Sequence, residues 1–291
     1  MSDLAASLIS IAFHGLAYGM VLYVVSVGLS ITMGLMGFVN LAHGVFAMTG
    51  GLVMASVTAR WGAPFPVGLA LAFAVAAVVS AILERTLYAR LYSAGELSQV
   101  LFTMGLIFVS MALARLAYGT TIIPITLPLW LKGQATLLGR PFPAYKLFVI
   151  FSGFVIAATL WWAVERTRLG ALVRAAVDDR SMAQSIGIDV KNLFTATFAL
   201  GGGVAGLGGA IGADLLPVQW SYPIETLVYF MIVVAVGGRG SVHGPFAAAL
   251  LIGLADTAGK YWLPEAGAFL IYAATIGLLL IRPQGLFGAR A

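Results

Sequence analysis

The sequence predicts an all-α polytopic membrane protein of about eight or nine transmembrane or re-entrant helices, with one short external β-hairpin as the only candidate strand pair. Charge is the first reason. Only 9% of the 291 residues are charged, against roughly a quarter in a soluble domain, so a water-facing surface cannot be assembled from this inventory. Hydrophobicity is the second: 61% of residues are apolar and the mean hydropathy is +1.01. Run length is the third. Six or more apolar runs reach or approach the ~20 residues that a helix needs to cross ~30 Å of hydrocarbon. They are continuous and rich in Ala, Leu and Gly, unlike the ~10-residue alternating segments of a β-barrel. Helices satisfy their own backbone donors in lipid, and the chain reads as one membrane domain over residues 1–291.

Taken in order, the N-terminal stretch from Met1 to Phe13 carries Asp3 and no basic side chain, so it lacks the basic flank of a cleaved leader. The first apolar run is expected to remain in place. Gaps between charges put spans at 8–35, 37–57, 65–83, 100–118, 147–164, 193–212, 227–236, 245–257 and 268–281. Gly34 and Gly37 make a break between the first two natural around Met33 to Gly37. The segments 227–236 and 245–257 are short for straight spans and flank Gly237, Gly238, Gly240 and Gly244, which suggests broken or re-entrant helices. Residues 119–146 form the longest external segment. Within it, the β-branched run from Thr120 to Leu127 and the apolar stretch from Gln134 to Leu138, with Lys132-Gly133 between them as a turn, suggest a hairpin; an ordinary linker is the other reading.

Orientation follows from Lys and Arg. With the N-terminus outside, ten basic residues are cytoplasmic: Arg85, Arg90, Arg166, Arg168, Arg174, Arg180, Lys191, Arg239, Arg282 and Arg290. Six are not: Arg60, Arg115, Lys132, Arg140, Lys146 and Lys260. The positive-inside rule favours this arrangement, and it accounts for the net charge of +5 without a nucleic-acid partner.

The 165–191 loop stands out. Nine of its 27 residues are charged, one third of all 27 charges in the chain. Leu169, Leu172, Val173 and Ala176 share a helical face, with Arg174 and Asp178 spaced to pair on the other. Ser181-Met182-Ala183-Gln184 fits a capping box, Gly187 a helix stop and Asp189 an N-cap, which brackets a short second helix from Met182 to Ile186. Such a loop is either a solvated connector or a docking surface for a cytoplasmic partner.

Catalysis fails on inventory. There is no cysteine, hence no disulfide, thiol nucleophile or Cys metal site. His14, His43 and His243 are scattered and belong to no His-Glu-x-x-His pattern, and no Gly-x-Ser-x-Gly elbow occurs. Gly259-Lys260 is not a phosphate-binding loop, because Tyr261 follows it and Leu254 stands where the first Gly is needed.

Arg166-Thr167-Arg168-Leu169-Gly170, Arg174-Ala175, Asp178 and Gly187-Ile188 resemble the cytoplasmic loop of the branched-chain amino acid permeases of the LivH/LivM type, which serve ABC importers. Asn40-Leu41-Ala42-His43-Gly44 resembles the family's second-helix signature. Val236-Gly237-Gly238-Arg239-Gly240-Ser241 and Arg282-Pro283-Gln284-Gly285-Leu286-Phe287-Gly288 are similar to its later motifs. Val45 stands where an acidic residue is frequent, and His243 where proline is usual.

The resemblance implies the ABC importer permease fold in an inner (plasma) membrane. It also implies a second permease subunit, homologous or identical, two ATPase subunits and an external solute-binding protein. No cofactor is expected in this chain, since ATP would be bound by the partner subunits. By the same resemblance Arg166, Arg168, Leu169, Arg174, Asp178 and Gly187 would contact the ATPase, the loop acting as the coupling element.

Candidate pathway residues come from polarity in apolar surroundings. Asn40 and His43, three apart on one predicted helix face, would line a gate or lock a helix pair, with Gly44 allowing close approach. Asp256 is the one carboxylate inside a predicted span, and it either lines a pathway or pairs with another helix. The Gly-rich run from Gly201 to Gly212 offers small-residue faces for packing. Asp214 and Glu225 flank an external loop that meets water or a soluble partner. The rival to an ABC importer is an ATP-independent secondary transporter or channel for a small polar solute, working through Asp256 or His43.

Overall fold

The computed structural model describes residues 3–137, 140–238, 240–282 and 284–287. Leu138, Arg239, Pro283, Gly288 and Arg290, which entered the readings above, lie outside the described residues. Among those described, eleven α-helices follow one another: α1 (Asp3–Met36), α2 (His43–Ala55), α3 (Phe65–Thr86), α4 (Glu96–Tyr118), α5 (Ala144–Arg166), α6 (Arg168–Asp178), α7 (Arg180–Ser185), α8 (Val190–Gly212), α9 (Tyr222–Gly237), α10 (His243–Trp262) and α11 (Gly267–Ile281).

Five segments, Leu4–Gly34, Phe65–Arg90, Glu96–Tyr118, Ala144–Arg166 and Val190–Gly212, are long and apolar enough to cross a membrane. Most helices outrun their apolar cores, because a helix continues through polar residues until something stops it. The chain that was expected to be broken into short pieces near its end is longer than charge gaps suggested. α10 has 20 residues and α9 has 16, or ~30 Å and ~24 Å at 1.5 Å per residue. Pro223 in its first turn lets α9 start four residues before Thr226, and Gly238 at φ 94° ends it.

The second expected span is shorter at its start. α1 runs to Met36, Gly37 adopts φ 61°, and α2 begins only at His43 before continuing through a wider π turn over Ser56–Arg60. The His43 ring bonds to the carbonyl of Val25, which lies about 16 Å back along α1 from its end by helical rise. α2 therefore starts inside the bundle and is half-length at that side.

α8 is the central helix: 72% of its apolar window is buried, against 11% for α5. Its glycines explain why. A Cβ at Gly209 would lie 2.0 Å from the carbonyl oxygen of Ala47, and one at Gly50 would lie 2.0 Å from that of Gly206. Only bare backbone lets α2 and α8 close to this distance, which is the packing reading of the Gly-rich run. α1 and α3 cover other faces of α8, with Phe198 stacked near Phe46 and Tyr88.

The hairpin exists, but with a different partner. β1 (Gln134–Leu137) pairs antiparallel with β2 (Arg140–Pro143), in register Gln134 to Pro143. The run from Thr120 to Leu127 is not a strand, and Lys132-Gly133 is not the hairpin turn. Its backbone donors are used elsewhere: Ile123 donates to the Val218 carbonyl and Thr126 to the Thr58 hydroxyl. The hairpin marks one end of the bundle, and α6 with α7 marks the other.

Candidate functional site

The α6–α7 segment is held by three polar caps. Thr167 accepts from Gly170 N–H, Asp179 from Met182 N–H at 2.9 Å and Asp189 from Asn192 N–H at 3.1 Å. The cap of α7 is thus Asp179 and not Ser181, so the helix starts at Arg180, earlier than the Ser181 box implied. Gly187 stops it as expected, at φ 88°, with Ile188 N–H bonding back to the Ala183 carbonyl.

The segment has two faces. Ala176, Ala183, Val190, Leu193 and Phe194 are buried together, with Leu172, Val173, Met36 and Tyr92 packed around them. The Arg180 guanidinium lies 5.0 Å from the Phe194 ring centre. On the other side Leu169 (58%), Met182 (61%) and Ile186 (69%) are exposed, beside exposed Arg168 and Asp178. Two expectations are corrected here. Leu169 does not join the inner face of Leu172, Val173 and Ala176, because Gly170 sits against the Val164 carbonyl and pins the first turn of α6 to the end of α5. Arg174 makes no ion pair with Asp178; its guanidinium donates to that same Val164 carbonyl, which is nearer than the i+4 carboxylate.

Asn40, His43 and Gly44 are gathered between α1, the 87–95 turn and α9. Asn40 and His43 are each 1% exposed. The Tyr88 hydroxyl donates to Asn40 Oδ1 at 2.9 Å, and the Asn40 amide nitrogen has no partner. His43 Nε2 lies 3.0 Å from the Val25 carbonyl, so this nitrogen carries the proton. A Cβ on Gly44 would sit 3.2 Å from Pro223 at the start of α9. The two polar residues do not share a helix face as the spacing suggested, because Asn40 precedes α2 in the non-helical turn. Val45, where an acidic residue is frequent in the resembled family, is buried.

Asp256 belongs elsewhere. It is 3% exposed and accepts from Lys260 at 2.6 Å, its i+4 neighbour on α10, rather than from another helix. The Lys260 ammonium also lies 5.6 Å from the Tyr18 ring centre. No described hydrogen bond or ion pair joins Asp256 to Asn40 or His43. Glu225 folds onto its own loop, accepting from Gln219 and Ser221, while Asp214 is exposed.

Glu84, one residue past the expected 65–83 span and not among the expected site residues, lies inside α3. Glu84 is 2% exposed and its carboxyl accepts from Tyr92 at 2.6 Å and from Thr195 at 2.6 Å. Burial, aided by the bond to Glu84, raises the Tyr92 hydroxyl above its ordinary pKa and keeps it a donor. Arg85 extends the cluster by donating to Asn192 at 2.9 Å, and Asn192 donates to Asp189. The ends of α3 and α8 and the 87–95 turn are thereby tied together. A signal was present: the buried positions Gly68, Ala72, Ala76, Ser80 and Glu84 of α3 recur every four residues. The small-residue stripe that packs on α8 ends on the carboxylate.

Two Gly-rich motifs far apart in sequence meet at the α6–α7 end. Ser30 Oγ donates to the Ser241 carbonyl at 3.1 Å, and Gly240 N–H donates to the Ser30 carbonyl at 3.0 Å. Leu286 N–H donates to the Val236 carbonyl at 2.7 Å, which seats the C-terminal segment on the end of α9. His243 faces Glu165 at 3.7 Å. Among the described residues no group of three or more His, Asp or Glu side chains could hold a metal ion.

The sequence profile described as "Branched-chain amino acid transport system / permease component" matches residues 11–279. The high-affinity branched-chain amino acid transport system permease protein BraD of Pseudomonas aeruginosa is 25% identical, over 94% of this chain and 94% of its own length. LivH of Escherichia coli, of the same description, is 22% identical over 95% and 94%. A probable branched-chain amino acid transport permease protein LivH of Methanocaldococcus jannaschii is 26% identical over 93% and 90%. No solved structure matches the chain. Because the profile covers residues 11–279, nearly the whole chain, the chain belongs to the family of permease components of branched-chain amino acid transport systems.

Proposed function

We propose that this inner-membrane permease is the translocating subunit of an ABC importer for amino acids, with branched-chain amino acids as the leading substrates. It would work with a second permease subunit, two ATPase subunits and an external solute-binding protein. The names of the relatives support the substrate class. The single observation that carries the mechanism is the two-faced α6–α7 segment. Its outer side offers Leu169, Met182 and Ile186 to a partner while its inner side is packed on Met36, Tyr92 and the start of α8.

In this reading α6 and α7 are cytoplasmic and the hairpin is external. Closure of the ATPase pair would press on the outer face of α6–α7. The packed inner face would pass that movement to α8, and the Glu84 cluster would carry α3 with it. The turn at Asn40 and His43, held by single hydrogen bonds to Tyr88 and Val25, is the part of the pathway able to change partners. Arg166, Arg168, Arg174 and Asp178 would contribute to the coupling surface or its support. Of the two groups a self-sufficient transporter would work through, Asp256 and His43, Asp256 is already paired with Lys260.

Reconstitution in liposomes tests the proposal. Uptake of leucine, isoleucine or valine should require the ATPase subunits, ATP and the binding protein together. Uptake by the permease without any ATPase would show that the rival reading is right.

A further inference from the structure

Between α5 and α10 the bundle is open. A groove of about 730 Å³ lies there, floored by Tyr23 of α1 and walled by Phe154 and Trp161 of α5 and Phe246 and Ala247 of α10. A second hollow of about 570 Å³ shares Ala158 and Trp161 with it and continues along α5 to Trp162 and Arg166. The two run into one another. From Phe154 to Arg166 the groove follows α5 for about 18 Å at 1.5 Å per residue, close to the depth of one leaflet of a ~30 Å hydrocarbon core.

Polarity is graded along that length. The deep end is apolar, while the end near α6 carries Trp161, Trp162, Arg166 and the facing pair Glu165 and His243. Tryptophan is the residue that favours the membrane–water boundary. Glu165 lies 3.7 Å from His243, and Trp161 stacks edge-on to the His243 ring at 5.8 Å. Arg166 makes no ion pair among the described residues. One unpaired cation therefore stands at the head of an apolar channel one leaflet long. Below that head the lining offers an amino-acid solute the hydroxyls of Tyr23 and Ser241 but no charged partner for its ammonium and carboxylate.

We propose that this groove binds an anionic phospholipid from the leaflet on the α6–α7 side, with one acyl chain along α5 and the phosphate at Arg166. The site abuts Thr167, the residue that turns α5 into α6, so an occupant would steady the base of the α6–α7 segment. The inference concerns the isolated chain and does not rest on the transport reading.

Native mass spectrometry tests it. The purified chain is extracted from nanodiscs of phosphatidylcholine doped with phosphatidylglycerol, and retained lipids and oligomeric state are read together. Retention of phosphatidylglycerol in preference to phosphatidylcholine is expected. Arg166→Gln, an exposed position that leaves packing alone, should lower that preference about fivefold, the effect of removing one cation at a membrane surface. Ala158→Trp, which fills the channel, should lose the retained lipid of either class with helicity unchanged. Equal retention of both lipids by the wild type, or retention unaffected by both substitutions, overturns the proposal. So does a loss of dimers on Ala158→Trp without a loss of lipid, which would assign the groove to a second copy.

Discussion

Glu84 accepts from two hydroxyls, on Tyr92 and Thr195, in surroundings that exclude water. Replacing it by Ala takes the short acceptor from both, leaving Thr195 the Lys191 carbonyl at 3.2 Å and Tyr92 the Met36 sulfur at 3.5 Å, and a buried hydroxyl that loses its acceptor costs up to about 1–3 kcal/mol. Glu84→Ala should therefore lower the thermal unfolding midpoint in detergent well beyond the change in Glu84→Gln, which keeps an acceptor oxygen. Equal midpoints for the two variants would show that the carboxyl does not hold the α3 and α8 ends together. Asn40 offers the opposite case. Its amide nitrogen is already unpartnered, so Asn40→Ala removes that unmet group while orphaning one buried hydroxyl, on Tyr88. A stability loss no larger than that of Glu84→Ala, with a large fall in uptake, is expected, and unchanged uptake would remove Asn40 from the pathway. At this scale the sequence showed which polar side chains stand in apolar surroundings, Asn40, His43 and Asp256, and all three are buried. It did not name their partners: Asp256 pairs with Lys260, one turn away, and Glu84 looks like a loop residue until α8 and the 87–95 turn close over it.

α6 and α7 were legible as helices because capping and amphipathic spacing are local signals. The side on which Leu169 ended was not, since it depends on the contact of Gly170 with the end of α5. Leu169→Asp should leave the fold intact, because the side chain is 58% exposed, and should reduce ATP-driven uptake while ATP hydrolysis by the assembled complex persists. Arg174→Ala frees the Val164 carbonyl and should uncouple in the same way. Normal uptake in both variants would take this segment out of the coupling route. In α8 the prediction concerns packing. Gly209→Ala places a methyl against the Ala47 carbonyl and should destabilise by about 1–3 kcal/mol through overpacking. Gly105→Ala on α4 meets nothing within 4 Å and should be neutral or stabilising by up to about 1 kcal/mol. Comparable unfolding midpoints for these two variants would contradict the close approach of α2 and α8.

For the molecule as a whole, sidedness is open to direct measurement, because the chain has no cysteine to mask a label. Lys132→Cys, near the hairpin, should react with an impermeant maleimide on right-side-out vesicles, whereas Ser185→Cys on α7 should react only on inverted ones. The opposite pattern would invert the topology and place α6–α7 outside. Composition and charge spacing established a helical membrane protein, its approximate spans and one exceptional loop, since transfer into lipid and local capping act on residues regardless of what lies across the bundle. Tertiary packing alone decided the rest. It set the inward start of α2, the pairing of β1 with β2, the seat of the C-terminal segment on α9 and the clamp at Glu84. Each of these depends on contacts between residues far apart in the chain, whose hydrogen bonds and close approaches become available only when the helices have met.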